Sequence, residues 1–108
     1  MASTFVKYQP LSTFNSASVT GSYQAINASG LTAPCFKIRI ANNSNQAITV
    51  SYDGVNDHEY IIGGQTLELN TQENAQPSAG VALIKKGTIV YLKGTAGTGT
   101  IAFSGYYC

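Results

Sequence analysis

Two short stretches of strict alternation constrain this chain more than anything else in it. Over residues 35–40, Phe36, Ile38 and Ile40 point one way while Lys37 and Arg39 point the other. Over residues 48–52, Ile48, Val50 and Tyr52 share a face, and Thr49 and Ser51 take the opposite one. A period of two is the signature of a strand with one buried side. No segment of useful length repeats with the 3.6-residue period of a helix. The remaining apolar runs are short and punctuated by Gly, Asn, Asp and Pro, which is strand-and-turn composition.

Further strand-like runs cover residues 59–62, 66–69, 81–84, 88–92 and 100–106, with weaker ones at 4–8 and 18–25. Turn residues between neighbouring runs predict three hairpins. The first turns at Asn42, Asn43, Ser44 and Asn45, the second at Gly63 and Gly64, the third at Lys85, Lys86 and Gly87. About eight short antiparallel strands at this spacing predict an all-β, single-domain β-sandwich of jelly-roll-like form. Residues 1–16 read as an N-terminal arm or edge strand and residues 17–108 as the sandwich.

The chain of 108 residues is one domain long, with 44% hydrophobic residues but only 10% charged ones. Soluble domains carry about 25% charged residues. Ser, Thr, Asn, Gln and Gly must therefore make the surface. Such a surface suits packing against other protein, because neutral polar groups cost less to desolvate than charges. Six Lys and Arg against five Asp and Glu leave a net charge of +1, with no basic stripe for a phosphate backbone. Nucleic acid is excluded as a partner on that ground. A membrane is excluded because no run approaches the roughly 20 apolar residues of a span. The opening residues lack an apolar run of signal-peptide length, which predicts a protein made in a cytoplasm and kept there or released with a particle.

Few residues suggest chemistry. Residues 94–99, Gly-Thr-Ala-Gly-Thr-Gly, have the composition of a phosphate loop, but a strand follows where a helix N-terminus is needed. The plainer reading is a flexible hairpin loop. Asp53, Asp57 and Glu59 are weak candidates to chelate a hard cation with help from Asn56. The spacing of a calcium loop is missing, and an inter-strand loop explains the same residues. His58, the one histidine, has no spacing to Ser51 or Cys35 that points to an activated nucleophile. No enzyme, cofactor or metal is expected. Cys35 reads as a small packed hydrophobe and Cys108 ends the chain; a bridge between them remains an alternative. The sequons at Asn27 and Asn42 read as accidental without a secretory signal.

Seven tyrosines and no tryptophan put phenol groups on many strands. Tyr106 and Tyr107 are neighbours, so on a strand one of them faces outward. Tyr is enriched in protein contacts. Tyr106, Tyr107, Phe5 and Tyr8, together with Glu73 and Gln76 in the polar loop of residues 70–78, are the interface candidates.

The residues Phe36-Lys37-Ile38-Arg39-Ile40-Ala41-Asn42-Asn43-Ser44, then Ile48-Thr49-Val50-Ser51-Tyr52-Asp53-Gly54 with Asp57-His58, resemble small virion structural proteins of tailed bacteriophages. So do Leu67-Glu68-Leu69-Asn70 and the run from Gly87 to Gly99. The resemblance covers roughly residues 16–107. It implies a β-sandwich virion component in many copies, at the head surface, head–tail junction or tail. It implies contacts with itself, as a homo-oligomer, and with other virion proteins, and transfers no site residues. The alternative is a carbohydrate- or cell-surface-binding β-sandwich, because Tyr-rich β-surfaces stack on sugars.

Overall fold

The structure, a computed structural model, describes residues 5–71 and 83–107. The inward positions of each alternating run find one another across two sheets. Lys37–Ser44 (β4) turns Ile38, Ile40, Asn42 and Ser44 into the interior. Gly99–Tyr107 (β9) lies beside it and buries Ile101 and Phe103, with Phe103 opposite Ile40. Thr66–Asn70 (β7) flanks β4 on the other side. Beyond β9 run Lys7–Tyr8 (β1) and Ser12–Asn15 (β2), which together form one edge row. Three residues separate Tyr8 from Ser12, while two separate their partners Tyr106 and Phe103, so the edge row carries a one-residue bulge. Pro10, which has no N–H to give a ladder, sits in that bulge. These strands make sheet I, in the order β1/β2–β9–β4–β7.

Sheet II holds Gln24–Ala25 (β3), Tyr91–Gly94 (β8), Ile48–Ser51 (β5) and Glu59–Ile61 (β6), in that order. Ile48, Val50, Ile61 and Leu92 point from it toward sheet I. Val19, Ile26, Leu31, Cys35 and Val90 from the connections complete the core. Burying Phe103 fully is worth about 2–3 kcal/mol. No α-helix occurs among the described residues; a single 3-10 turn spans Ser16–Ser18.

The pairings nest. β2 pairs β9, β3 pairs β8, β4 pairs β7 and β5 pairs β6, all antiparallel. Successive pairs fall alternately in sheets I and II. This is one long hairpin, closed at β5–β6, rolled up into two layers: the jelly roll expected from the strand spacing.

The expected hairpins are corrected by this arrangement. β4 does not return alongside itself after Asn45; the chain crosses to sheet II and enters β5. Likewise Gly63 and Gly64 carry the chain from β6 in sheet II to β7 in sheet I. Gly64 needs its φ of 84°, and a side chain at Gly63 would stand 2.7 Å from the Ser44 carbonyl oxygen, because the two corners pack together. At the third site, Val81 and Ala82 lie outside the described residues. Lys85 to Thr88 does turn, with Gly87 at φ 86°, but Ile84 pairs with Cys35 instead of with the run that follows. Residues 94–99 also cross between sheets, from β8 to β9, and are not a hairpin loop. They are clamped: Thr98 N–H donates to Asn45 Oδ1 (2.9 Å) and Asn45 N–H to Thr98 O (3.1 Å). A Cβ at Gly97 would collide with Asn45 and Gln46.

Both corners around β4 are satisfied by Asn42. Its inward position follows from alternation with Ile38 and Ile40, and it is fully buried. An amide buried here must find partners for its donors and its acceptor. Nδ2 donates to the carbonyls of Gln46 (2.9 Å), Ile61 (3.1 Å) and Ile62 (3.2 Å), and Oδ1 accepts from Ser44 Oγ (2.6 Å).

Candidate functional site

Two surfaces carry the residues singled out in the sequence. The first is the outer face of sheet I at its β1 edge. On β9, Ile101, Phe103 and Gly105 point inward, so Tyr106 points outward and Tyr107 inward, where it packs on the core. Register puts Tyr106 between Tyr8 and Lys37. The Tyr8 and Tyr106 rings meet edge to face at 5.8 Å, and Lys37 Nζ lies 5.4 Å from the Tyr106 ring centre. Edge-to-face packing and a cation over a ring are the favourable geometries of aromatic quadrupoles. Glu68 pairs with Lys37 (3.5 Å) and Arg39 (3.8 Å), exposed contacts that contribute at most about 1 kcal/mol each.

Along the edge row, Phe5 is 75% exposed, Tyr8 68% and Leu11 66%, with Val6 also exposed. Half of the eight exposed large hydrophobic residues among those described fall within residues 5–11. Glu73, Gln76 and most of the loop of residues 70–78 lie outside the described residues.

The second surface is the loop joining β5 to β6 and the outer face of sheet II beneath it. The structure does not bring Asp53, Asp57 and Glu59 together. Asp53 Oδ1 accepts from the N–H groups of Val55 (2.8 Å) and Asn56 (2.9 Å) and from Ser51 Oγ (2.9 Å), and Oδ2 accepts from Asn56 Nδ2 (3.0 Å). The Asn56 and Val55 N–H groups hold its carboxyl well below the usual carboxylate range. Asp57 accepts from the Tyr23 hydroxyl and pairs with Lys93 (3.0 Å), whose ammonium lies 4.5 Å from the Tyr23 ring centre. Those contacts lower the Asp57 pKa and raise those of Tyr23 and Lys93. Glu59 accepts from Tyr52 Oη at 3.4 Å, and burial first, then Glu59, pushes the Tyr52 phenol up. Among the described residues no group of three or more His, Cys, Asp and Glu stands where it would hold a metal ion.

His58 stacks on Tyr52, ring centres 5.4 Å apart and planes 18° from parallel, and its Nδ1 accepts the Tyr52 N–H at 2.9 Å. Ser51 Oγ accepts from Gly54 N–H (2.9 Å) and donates to Asp53, so it shapes the loop. Cys35 is fully buried, and burial raises its thiol pKa. Neither stands as a nucleophile beside His58.

Sequence reasoning passed over Tyr60, Thr49 and Lys93, which form one row across the outer face of sheet II, Thr49 facing both partners in register. The available signal was alternation: with Ile48 and Val50 inward, Thr49 and its cross-strand partners point outward.

The fold and its surfaces define a jelly-roll β-sandwich. No family model and no curated protein matches the chain. Among solved structures, it is similar to a chain of the Bacillus endospore appendages, which form disulfide-linked pili, with TM-score 0.51 and 12% identity over 94% of this chain and 87% of that one. That likeness is one of fold. Two others are SPP1 Dit (gp 19.1), of the hub adsorption apparatus of phages infecting Gram-positive hosts, and the virus-like particle of extra small virus of the giant freshwater prawn Macrobrachium rosenbergii. For Dit the TM-score is 0.42 and identity 16%, over 95% of this chain and 49% of that one. For the prawn virus the values are 0.41 and 12%, over 98% and 81%.

Proposed function

We propose that this chain is a non-enzymatic structural subunit of a virion, assembled in many copies and in contact with other virion proteins. The observation that carries this reading is the edge of sheet I, where Tyr8 on β1 and the flanking Phe5, Val6 and Leu11 stand exposed, and the outer side of β1 is unpaired among the described residues. An open edge with apolar side chains is a template for pairing with another chain. A lone soluble domain avoids it; a subunit uses it. Tyr106, packed on Tyr8, extends the patch onto the sheet face.

The sparse charge supports the same reading, since repeated contacts in a symmetric array bury much polar surface. The tailed-phage assignment rests on the sequence resemblance. The pilus likeness adds fold-level analogy alone, since one fold serves many functions. Residues 1–16, with the loop of residues 70–78, are the parts assigned here to neighbouring subunits.

The test is mass in solution by light scattering over a range of concentration. The wild-type chain should form a defined oligomer, and Phe5→Ser, Tyr8→Ser and Leu11→Ser together should return it to monomer. An oligomer that survives the triple substitution would remove the edge from the contact. A monomer at every concentration that also fails to join particles would remove the subunit reading.

A further inference from the structure

The row on the outer face of sheet II borders a shallow depression of about 300 Å³, lined by Thr49, Asp57, His58, Glu59 and Tyr60. Its floor is two strands and its rim the β5–β6 loop, so it is built mainly on rigid elements. Tyr60 is 68% exposed, and no hydrogen bond or ring contact holds its side chain among the described residues. The groups around it are already fixed. Lys93 and Tyr23 hold Asp57, and the Tyr52 N–H and ring hold His58. An unoccupied aromatic ring surrounded by preset polar groups saves a ligand the cost of ordering its site.

We propose that this face binds a saccharide, specifically a neutral pyranose. The flat C–H face of such a ring covers Tyr60, as aromatic platforms take flat apolar surfaces. Its hydroxyls donate to the carboxylate of Asp57 and bond to the Thr49 hydroxyl, charge-assisted hydrogen bonds being the stronger kind. The Asp57 carboxylate in the wall disfavours phosphate and acidic sugars. The only cation nearby, among the described residues, is Lys93, and it is committed to Asp57.

The site does not depend on the assembly reading. β6 joins β7 through residues 62–65, which places β6 and β7 on one flank of the sandwich; β1 and β2 form the opposite edge of sheet I. The row therefore lies away from the β1/β2 edge proposed for assembly.

The test uses the full chain on a glycan array, followed by amide chemical-shift titration with glucose, galactose, N-acetylglucosamine and sialic acid at millimolar concentration. One or more neutral sugars should shift the amides of Thr49, His58 and Tyr60, and sialic acid should not. Tyr60→Ala should weaken binding about tenfold, and Tyr60→Phe should stay within about twofold. Asp57→Asn should also weaken it, and the assembled mass should not change in any of the three. A blank array with unmoved amides overturns the proposal. So does binding that survives Tyr60→Ala, or loss of assembly in Tyr60→Ala, which would make Tyr60 a subunit contact.

Discussion

The side-chain amide of Asn42, on a strand of sheet I, donates to the backbone carbonyl of Ile61 on a strand of sheet II at 3.1 Å. The same nitrogen reaches Gln46 O and Ile62 O, so one residue closes both the β4–β5 and the β6–β7 corners. Strand ends leave backbone carbonyls without ladder partners, and buried ones must be satisfied. Asn42 does for the corners what a third strand would do in a sheet.

Removing that amide leaves buried carbonyls and the Ser44 hydroxyl short of partners. Asn42→Ala should lower stability by about 2–4 kcal/mol, read from the urea midpoint at unchanged slope. Asn42→Asp should do at least as much harm, because it turns an acceptor toward carbonyl oxygens. A loss below about 0.5 kcal/mol in Asn42→Ala would mean that water replaces the amide and the corners are not pinned by it.

The glycines separate into those that need space and those that need only backbone freedom. At Gly99, φ is 116° and a Cβ would collide with the carbonyl oxygen of Asn43. At Gly64, φ is 84° but nothing lies within 4 Å of a Cβ. Gly21 has open space and no left-handed φ. Alanine should therefore cost more than about 3 kcal/mol at position 99, about 1–2 at 64 and less than about 0.5 at 21. Thermal melts of the three variants give the order, and equal costs at 99 and 64 would show that residues 94–99 move aside freely.

Alternation made the strands legible. β4 and β5 lie where period-two patterning puts them, with Ile38, Ile40, Ile48 and Val50 inward, but Ser51, expected to face outward, is fully buried because its hydroxyl holds the Asp53 turn. Their partners were not legible. A hairpin turn and a corner between sheets use the same residues, Asn and Gly, because both need tight backbone. The distinguishing signal was present but quiet: Asn42 and Ser44 continue the inward phase of Ile38 and Ile40, and a polar inward pair marks a strand end that bends over the core. The nesting of β2 with β9 and β3 with β8 joins residues from the two ends of the chain, which no local pattern encodes. The carboxylates of the β5–β6 loop were readable as a polar cluster. Their separate commitments, Asp53 to its own turn and Asp57 to Lys93 and Tyr23, come from tertiary placement.

The Asp53 turn sets an acid dependence. Its carboxyl titrates below the usual range when folded, first through the Asn56 and Val55 N–H groups. Unfolded, it returns to a pKa of about 3.9. A depressed folded pKa gives stability that is complete above the unfolded value and is lost as pH falls toward the folded one. Asp57 shifts in the same direction through Tyr23 and Lys93. The urea midpoint should therefore fall between about pH 5 and pH 3, and fall less in Asp53→Asn. An identical acid slope in wild type and variant would take Asp53 out of the account.

Cys35 reports on the integrity of the rolled hairpin. Its N–H and C=O both bond to Ile84, at 2.9 and 2.8 Å, and its side chain is fully buried beneath Gly105, where a Cβ would come within 3.3 Å of the sulfur. Burial raises the thiol pKa, so the reactive thiolate is scarce even where solvent reaches it. Alkylation must then wait for the Cys35–Ile84 bridge to open. In a Cys108→Ser background, which leaves one thiol, iodoacetamide at mildly alkaline pH should label the native chain at least about 100-fold more slowly than the urea-unfolded chain. Asn42→Ala should speed native labelling by the factor its lost stability predicts, if opening is global. Labelling that is slow in wild type and unchanged in Asn42→Ala would place the opening in the local segment around Ile84. Rapid native labelling would mean that Cys35 is not sealed in the core.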